Sequence, residues 1–465
     1  MRKLLALLIV LSILIPVIGC DGGEVTPTPT ETPTPTSEPP GAWWPITGPD
    51  RNYHAATIIV AASNSKYQNA AHYRCDGTAD DDTVQSAVDS LGTSPGVVLL
   101  LDGSYSATGN VTVSNAGQFI KGLGWATTWN LSQSANTTDY AFVFSGNNTY
   151  NCGISDMIID CNGANQTAGG GVYVEGMRQF RIDNLKAQEG KVYNVYVKGN
   201  TLSCNGFRMF NSELTGAGTD NLRVQAVWNW KVYDTYMQTA TQKGLNTSGG
   251  GECLVHGCSF DTNTQAGAYF YAVSRGTIAD TRYCGDNGRA GIEFASTCLD
   301  MTVNGGEVND NGSSGTNPYG VYVKGTANNT QVYNITAHNN DTVHQDYGVY
   351  IGATAVNTVV KNNGLSYNTV AGVYNGNSTS IIRYNKGYVT ENSGTATIAN
   401  GSTSIVVTHG LATTPTDVTL TPKEQGTNDY GRLSWGSGNS TRFTITCSAD
   451  PGASNLDVNW YAFID

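Results

Sequence analysis

Apolar and polar residues alternate with period two in a short phrase that recurs through the middle of the chain. It reads GVYVEG at 171, NVYVKG at 194, NLRVQA at 221, GLNTSG at 244 and GAYFYA at 267, then GIEFAS at 291, GVYVKG at 320, GVYIGA at 348 and GVYNGN at 372. The starts lie 23, 27, 23, 23, 24, 29, 28 and 24 residues apart. A strict alternation predicts a strand with one buried side, and self-similarity at this period predicts a solenoid. Every unit carries a second apolar segment (RIDNLKA, RMFNSEL, VYDTYM, VHGCSF, IADTRY, VYNITA) broken by a bend residue. Those bends fall on Asn184, Asn211, Asp234, Gly257, Asp280, Gly305, Asn334, Asn362 and Asn385. Gly, Asn and Asp tolerate a left-handed backbone, so Asp234 and Asp280 read as turn residues rather than catalysts. With no room for a helix in each unit, the pattern predicts an all-β parallel β-helix.

Upstream, Tyr73-Arg74-Cys75-Asp76-Gly77-Thr78-Ala79-Asp80-Asp81-Asp82 precedes a short helix expected near Thr83. GVVLLLDGSYSATGNVTVSN and FIKGLGWATTW follow. This order of motifs resembles the N-terminal cap of the pectate-lyase-like, rhamnogalacturonase/epimerase-type superfamily of right-handed parallel β-helices. With the repeats, the resemblance covers residues 58 to about 390. It implies a right-handed, pectin-lyase-like solenoid over residues 46–392, and a function connected with polysaccharide, by cleavage or by binding. The acidic triplet Asp80-Asp81-Asp82 suits a helix N-terminus, with Asp82 as its cap, better than a metal site.

The two ends differ from the middle. Met1-Arg2-Lys3, an apolar run from Leu4 to Ile18 and then Gly19-Cys20 read as a secretory signal over residues 1–19. Cysteine directly after the small residue resembles a bacterial lipobox, which implies lipidation of Cys20, export and a membrane-anchored surface or periplasmic location. Residues 20–45 hold the Thr/Pro alternation TPTPTETPTPTSEPP, a semi-rigid polyproline II tether. Residues 393–465 switch to strands at short spacing with Gly, Asn and Pro turns, which predicts a small antiparallel β-sandwich. Its T-x-I…H-G-L-x-x-x-P string resembles domains at the tips of phage-tail and cell-surface proteins. His409, Trp435 and Trp460 within it read as packing residues.

Composition narrows the partners. Charged residues make up 13% of the 465, about half the usual share, and 25 basic against 37 acidic residues give a net charge of −12. An acidic chain lacks the basic face that nucleic acid requires. Ten cysteines without CxxC spacing give no zinc signature; Cys152 and Cys161 are the nearest plausible disulfide pair, and most others read as small buried hydrophobes.

If the second residue of each phrase is buried, the third faces out. That outward column is Tyr173, Tyr196, Arg223, Asn246, Tyr269, Glu293, Tyr322, Tyr350 and Tyr374, and two residues on stand Glu175, Lys198 and Tyr271 among others. Rings with polar tips offer a sugar chain a stacking surface, and stacked tyrosines also stabilise a sheet by themselves. Glu175 and Glu293, five coils apart, cannot form a glycosidase carboxylate pair. Val255-His256-Gly257 resembles the histidine segment of polygalacturonases, whose other motifs are missing. A uronate lyase needs a base and a cation at the sugar carboxylate, and Glu175, Lys198, Asp220 and Arg223 are the candidates. For such a lyase the resemblance implies Ca²⁺ as a possible cofactor. A surface ladder of ion pairs accounts for the same four residues. The expected function is therefore cleavage of a uronate-containing or related glycan by β-elimination or hydrolysis. The alternatives are a non-catalytic glycan-binding or adhesin scaffold and a tailspike-like protein.

Overall fold

The computed structural model describes residues 56–132, 140–200, 204–340, 345–423 and 430–464. The expected export signal, Cys20 and the expected tether lie outside the described residues. From Ala56 to Arg383 the chain winds into one 31-stranded ladder whose strands pair in parallel from coil to coil. The recurring phrases stack in register: Val172, Val195, Leu222, Leu245, Ala268, Ile292, Val321, Val349 and Val373 line one inward column. Period-two alternation therefore has its expected cause, with one side of each strand inside the coil.

The interior is filled by aromatic and branched side chains. Trp129 and Phe142 approach to 4.6 Å between ring centres, Phe144 and Phe180 to 4.7 Å, and Phe270 and Phe294 to 5.5 Å. A second interior device is polar. Asn194, Asn221, Asn263, Asn287, Asn311, Gln345 and Asn368 hydrogen-bond side chain to side chain along the axis at 2.8–3.5 Å. Amides repeating from coil to coil satisfy one another, and they also bond backbone carbonyls of the short strands beside them.

Eight of the nine expected bend residues, Asn184 to Asn362, have φ between 47° and 77°. In the last coil the left-handed residue is Tyr384, at φ 58°. Asn385 instead turns inward, where its Oδ1 accepts from Asn363 Nδ2 at 2.9 Å.

The cap helix spans Asp80–Ser90, starting three residues before the expected position. Asp80 and Asp81 are buried acceptors: Asp80 takes the amides of Gly77 and Ser106, and Asp81 that of Thr108. These carboxylates tie the helix to the first coils, so Asp82 is not the cap that fixes its start. Beyond the ladder, two three-stranded antiparallel sheets share a core of Ile398, Phe443, Ile445, Val458 and Trp460. His409 is buried there, its ring bonded to Asn439 O and to the Leu411 amide, a packing role as expected.

All nine described cysteines are buried free thiols. Cys152 and Cys161 stand at either end of the strand Gly153–Asp160, on opposite sides of its left-handed bend at Asp156, and both are free thiols rather than a disulfide pair.

Candidate functional site

Register places the outward column as the sequence implies, with Tyr173, Tyr196, Arg223, Asn246, Tyr269, Glu293, Tyr322, Tyr350 and Tyr374 paired strand to strand. Their neighbours divide them into three groups. At the N-terminal end, Tyr173 and Tyr196 join Tyr140 and Tyr193 with ring centres 5.1–5.3 Å apart. Glu175 accepts the Tyr173 hydroxyl at 2.9 Å and pairs with Lys198 at 2.8 Å. That bond to Lys198, opposed by partial burial, holds the Glu175 carboxyl below its ordinary range. Both charges are thus already spent on each other.

The middle group forms a cleft of about 420 Å³ lined by Arg223, Lys243, Asn246, Ser248, Gln265, Ala266, Tyr269, Tyr271, Arg289, Glu293, Asn317 and Lys324. Asp220 and Arg223 belong here, one coil beyond Lys198. Asp220 is buried and accepts from Asn246 Nδ2 at 2.7 Å, while Arg223 donates to Ser248 Oγ at 3.0 Å. Glu293, although in an outward column, is only 5% exposed, and Lys324 reaches it at 3.7 Å. Burial raises the carboxyl pKa of both Asp220 and Glu293, while the surrounding cations pull it back down. Burial lowers Lys243, whose Nζ lies 5.0 Å from the centre of the Tyr269 ring. As pH falls, Asp220 and Glu293 take up protons above the usual carboxylate range, so the cleft grows more positive before most of the surface does.

Four cations, Arg223, Lys243, Arg289 and Lys324, therefore face one cleft in a chain of net charge −12. Among the described residues neither the Arg223 nor the Arg289 guanidinium has a carboxylate at ion-pair distance. Lys243 had a sequence signal that went unread. It stands one residue before its phrase, in the same column as Tyr193 and Asp220. Arg289 lies in a turn between coils, where strand register gives no guide.

The third group, Tyr322, Tyr350 and Tyr374, gathers Tyr319 and Tyr347 from the column before the phrase. Tyr350 stacks on Tyr319 at 4.3 Å and on Tyr374 at 4.4 Å. His256 belongs to a different ladder, beside Asp280 at 3.2 Å and the ring of Tyr233.

The chemistry open to the cleft follows from spacing. Asp220 and Glu293 are three coils apart, about 14 Å, too far for the carboxylate pair of a glycosidase. Nor do they fit a calcium site, since the groups between them are cations and no cluster of three His, Cys, Asp or Glu occurs among the described residues. What the cleft does offer is two guanidinium groups for an anion, an amine of lowered pKa and a neutral phenol.

The whole arrangement is that of a right-handed parallel β-helix with an outward cationic cleft. A family model described as "Right handed beta helix region" matches residues 170–337. No curated protein sequence matches the chain. Among solved structures, it resembles the A-module of mannuronan C-5 epimerase AlgE6 from Azotobacter vinelandii with a TM-score of 0.51 at 14% identity, over 66% of this chain and 94% of that one. The AlgE4 A-module from the same organism gives 0.51 at 15% identity, over 66% and 97%. The enzymatically active domain of tailspike protein 2 from bacteriophage CBA120 gives 0.51 at 13% identity, over 82% and 67%. At such identities the likeness is one of fold.

Proposed function

We propose that this chain acts on an acidic polysaccharide laid along the outward tyrosine column, with a uronate carboxylate held between Arg223 and Arg289. The observation that carries the reading is the gathering of four cations around one cleft on an otherwise acidic chain. The reaction it supports best is β-elimination. Guanidinium groups neutralise the sugar carboxylate and so acidify the proton next to it, and Lys243, its pKa lowered by burial, takes that proton. The electron pair left behind forms the carbon–carbon double bond as the glycosidic oxygen departs with a proton. Tyr269, kept neutral because burial raises its phenol, is placed to donate one. Glu175 and Lys198, bound to each other, then serve as contacts on the flank. The neighbours named for epimerisation and for tailspike activity, which share this fold, are in keeping with a glycan as substrate.

A chain beginning at Gly41 should release unsaturated oligosaccharides from at least one member of a panel of uronate polysaccharides, followed by ultraviolet absorbance and reducing ends. Retention on an acidic-glycan column without any product would replace the enzyme by a binding scaffold. No retention and no product would end the glycan reading.

We also propose anchorage to a membrane through a lipid on Cys20. The support is the sequence of the first forty residues, which are outside the described part of the chain. The full chain made in a lipoprotein-processing bacterium should partition into detergent and Cys20→Ser into water; equal partition of the two would dismiss the anchor.

A further inference from the structure

The outward face carries its unpaired charge in the middle and its rings at both ends. On the N-terminal side stand Tyr140, Tyr173, Tyr193 and Tyr196, and the one cation within the phrases at 171 and 194, Lys198, is held by Glu175 at 2.8 Å. On the C-terminal side stand Tyr319, Tyr322, Tyr347, Tyr350 and Tyr374. Beyond Lys324, the corresponding positions are Gly352 and Gly376. Lys324 lies 5.7 Å from the centre of the Tyr322 ring but is paired with Glu293 at 3.7 Å. Further along, the Tyr319 phenol is pushed up to about 12, first by burial, then by Tyr350 and Tyr322, and then by the negative charge of Asp346. Among the described residues, Arg223, Lys243 and Arg289, none with a carboxylate at ion-pair distance, face the cleft between the clusters.

A polymer with a carboxylate on every sugar would lay anions across both clusters, where, among the described residues, the phrases that carry the rings hold no cation free of a carboxylate. Removing a carboxylate from water beside a ring without a partner is costly. A neutral pyranose instead sets its C–H face on the ring and gains from burial. From Tyr173 to Tyr374 the column runs eight coil steps, about 38 Å, and each linked pyranose spans about one step.

We propose that this face is built for a heteropolysaccharide whose acidic residue is flanked on both sides by uncharged sugars, gripped internally over about eight residues rather than by an end. The inference rests on the function proposed above and specifies its substrate by charge spacing. It would separate this chain from a processor of uniformly acidic polymers, although the fold is shared.

Calorimetry with octasaccharides of both charge patterns tests it: two alternating probes, hyaluronan and chondroitin, and two uniformly acidic ones, oligogalacturonate and oligoalginate. The tightest alternating probe should bind at least about tenfold more strongly than the tightest uniform one. Tyr196→Ala and Tyr350→Ala should each reduce the advantage of an octasaccharide over a trisaccharide of that probe by roughly 5- to 10-fold. Tyr236→Ala, an exposed tyrosine on another ladder, should leave that advantage as it is. Uniform probes binding as tightly as alternating ones would overturn the inference and leave the proposed function standing, and so would a length advantage untouched by both tyrosine variants. If none of the four probes binds, the function itself fails and this inference with it.

Discussion

Arg223→Ala is expected to weaken binding of an acidic oligosaccharide, and any turnover of it, by roughly 10- to 100-fold. Its guanidinium faces the cleft with a single hydrogen bond, to Ser248 Oγ at 3.0 Å, and no carboxylate partner among the described residues. A charge-assisted bond to a carboxylate is worth about 1.5–3 kcal/mol, and a bidentate pair adds geometry that an amine cannot supply. Arg223→Lys should therefore recover only part of the loss. The fold should survive both changes, because the side chain is not part of the interior and its one bond, to Ser248 on the next coil, adds little to strands already paired along their backbones. Binding isotherms and melting curves of the two variants decide the matter. Full affinity in Arg223→Ala would move the carboxylate to Arg289 or remove it from this cleft.

The second large effect concerns the interior. Asn287→Ala should cost about 3–5 kcal/mol of stability, seen as an earlier urea midpoint. Asn287 Oδ1 accepts from both the amide and the side chain of Asn263, and its Nδ2 donates to Phe260 O and to Asn311 Oδ1. Alanine leaves these partners buried without bonds, in a ladder where each amide depends on the next. Asn304→Ala serves as the comparison, since Asn304 is exposed and bonds only Asn334 Nδ2 through its side chain. It should change stability by less than about 0.5 kcal/mol. Equal midpoints for the two variants would show that the inner ladder contributes nothing special.

Strand register was legible because period-two alternation is a property of neighbouring residues. The tyrosine column from Tyr173 to Tyr374 could be written from spacing alone and is the column that the structure stacks. The bends were legible for a similar reason, since a left-handed backbone restricts the residue to Asn, Asp or Gly at eight of nine positions. Tyr384 escaped because the last coil has no further coil to follow, and Asn385 found an inward partner in Asn363. The amide ladder left a trace that is hard to single out: Asn263, Asn287 and Asn311 recur every 24 residues, but asparagine is common at the turns and its type does not mark which ones point inward. Arg289 escaped because it lies in a turn between coils, where strand register gives no guide. Glu293 was placed in the right column, but its burial depends on Lys324, Arg289 and Lys243 converging from separate coils. Side chains that meet across coils leave no local trace in the sequence.

The buried thiols have a use that neither the cleft nor the core exhausts. Cys75 sits at the cap, Cys152, Cys161, Cys204, Cys253, Cys258, Cys284 and Cys298 mark successive stretches of the solenoid, and Cys447 marks the antiparallel sheets near the C-terminus. Burial pushes the Cys253 and Cys258 thiols up to about 12, so they stay protonated and shielded from reagents while their coils are closed. No disulfide among the described residues staples one coil to another. Since each coil of a solenoid contacts only its neighbours, opening can proceed from an end, one rung after the next. Alkylation during unfolding would then tag the cysteines in sequence, and the order of tagging would tell from which end the helix unzips.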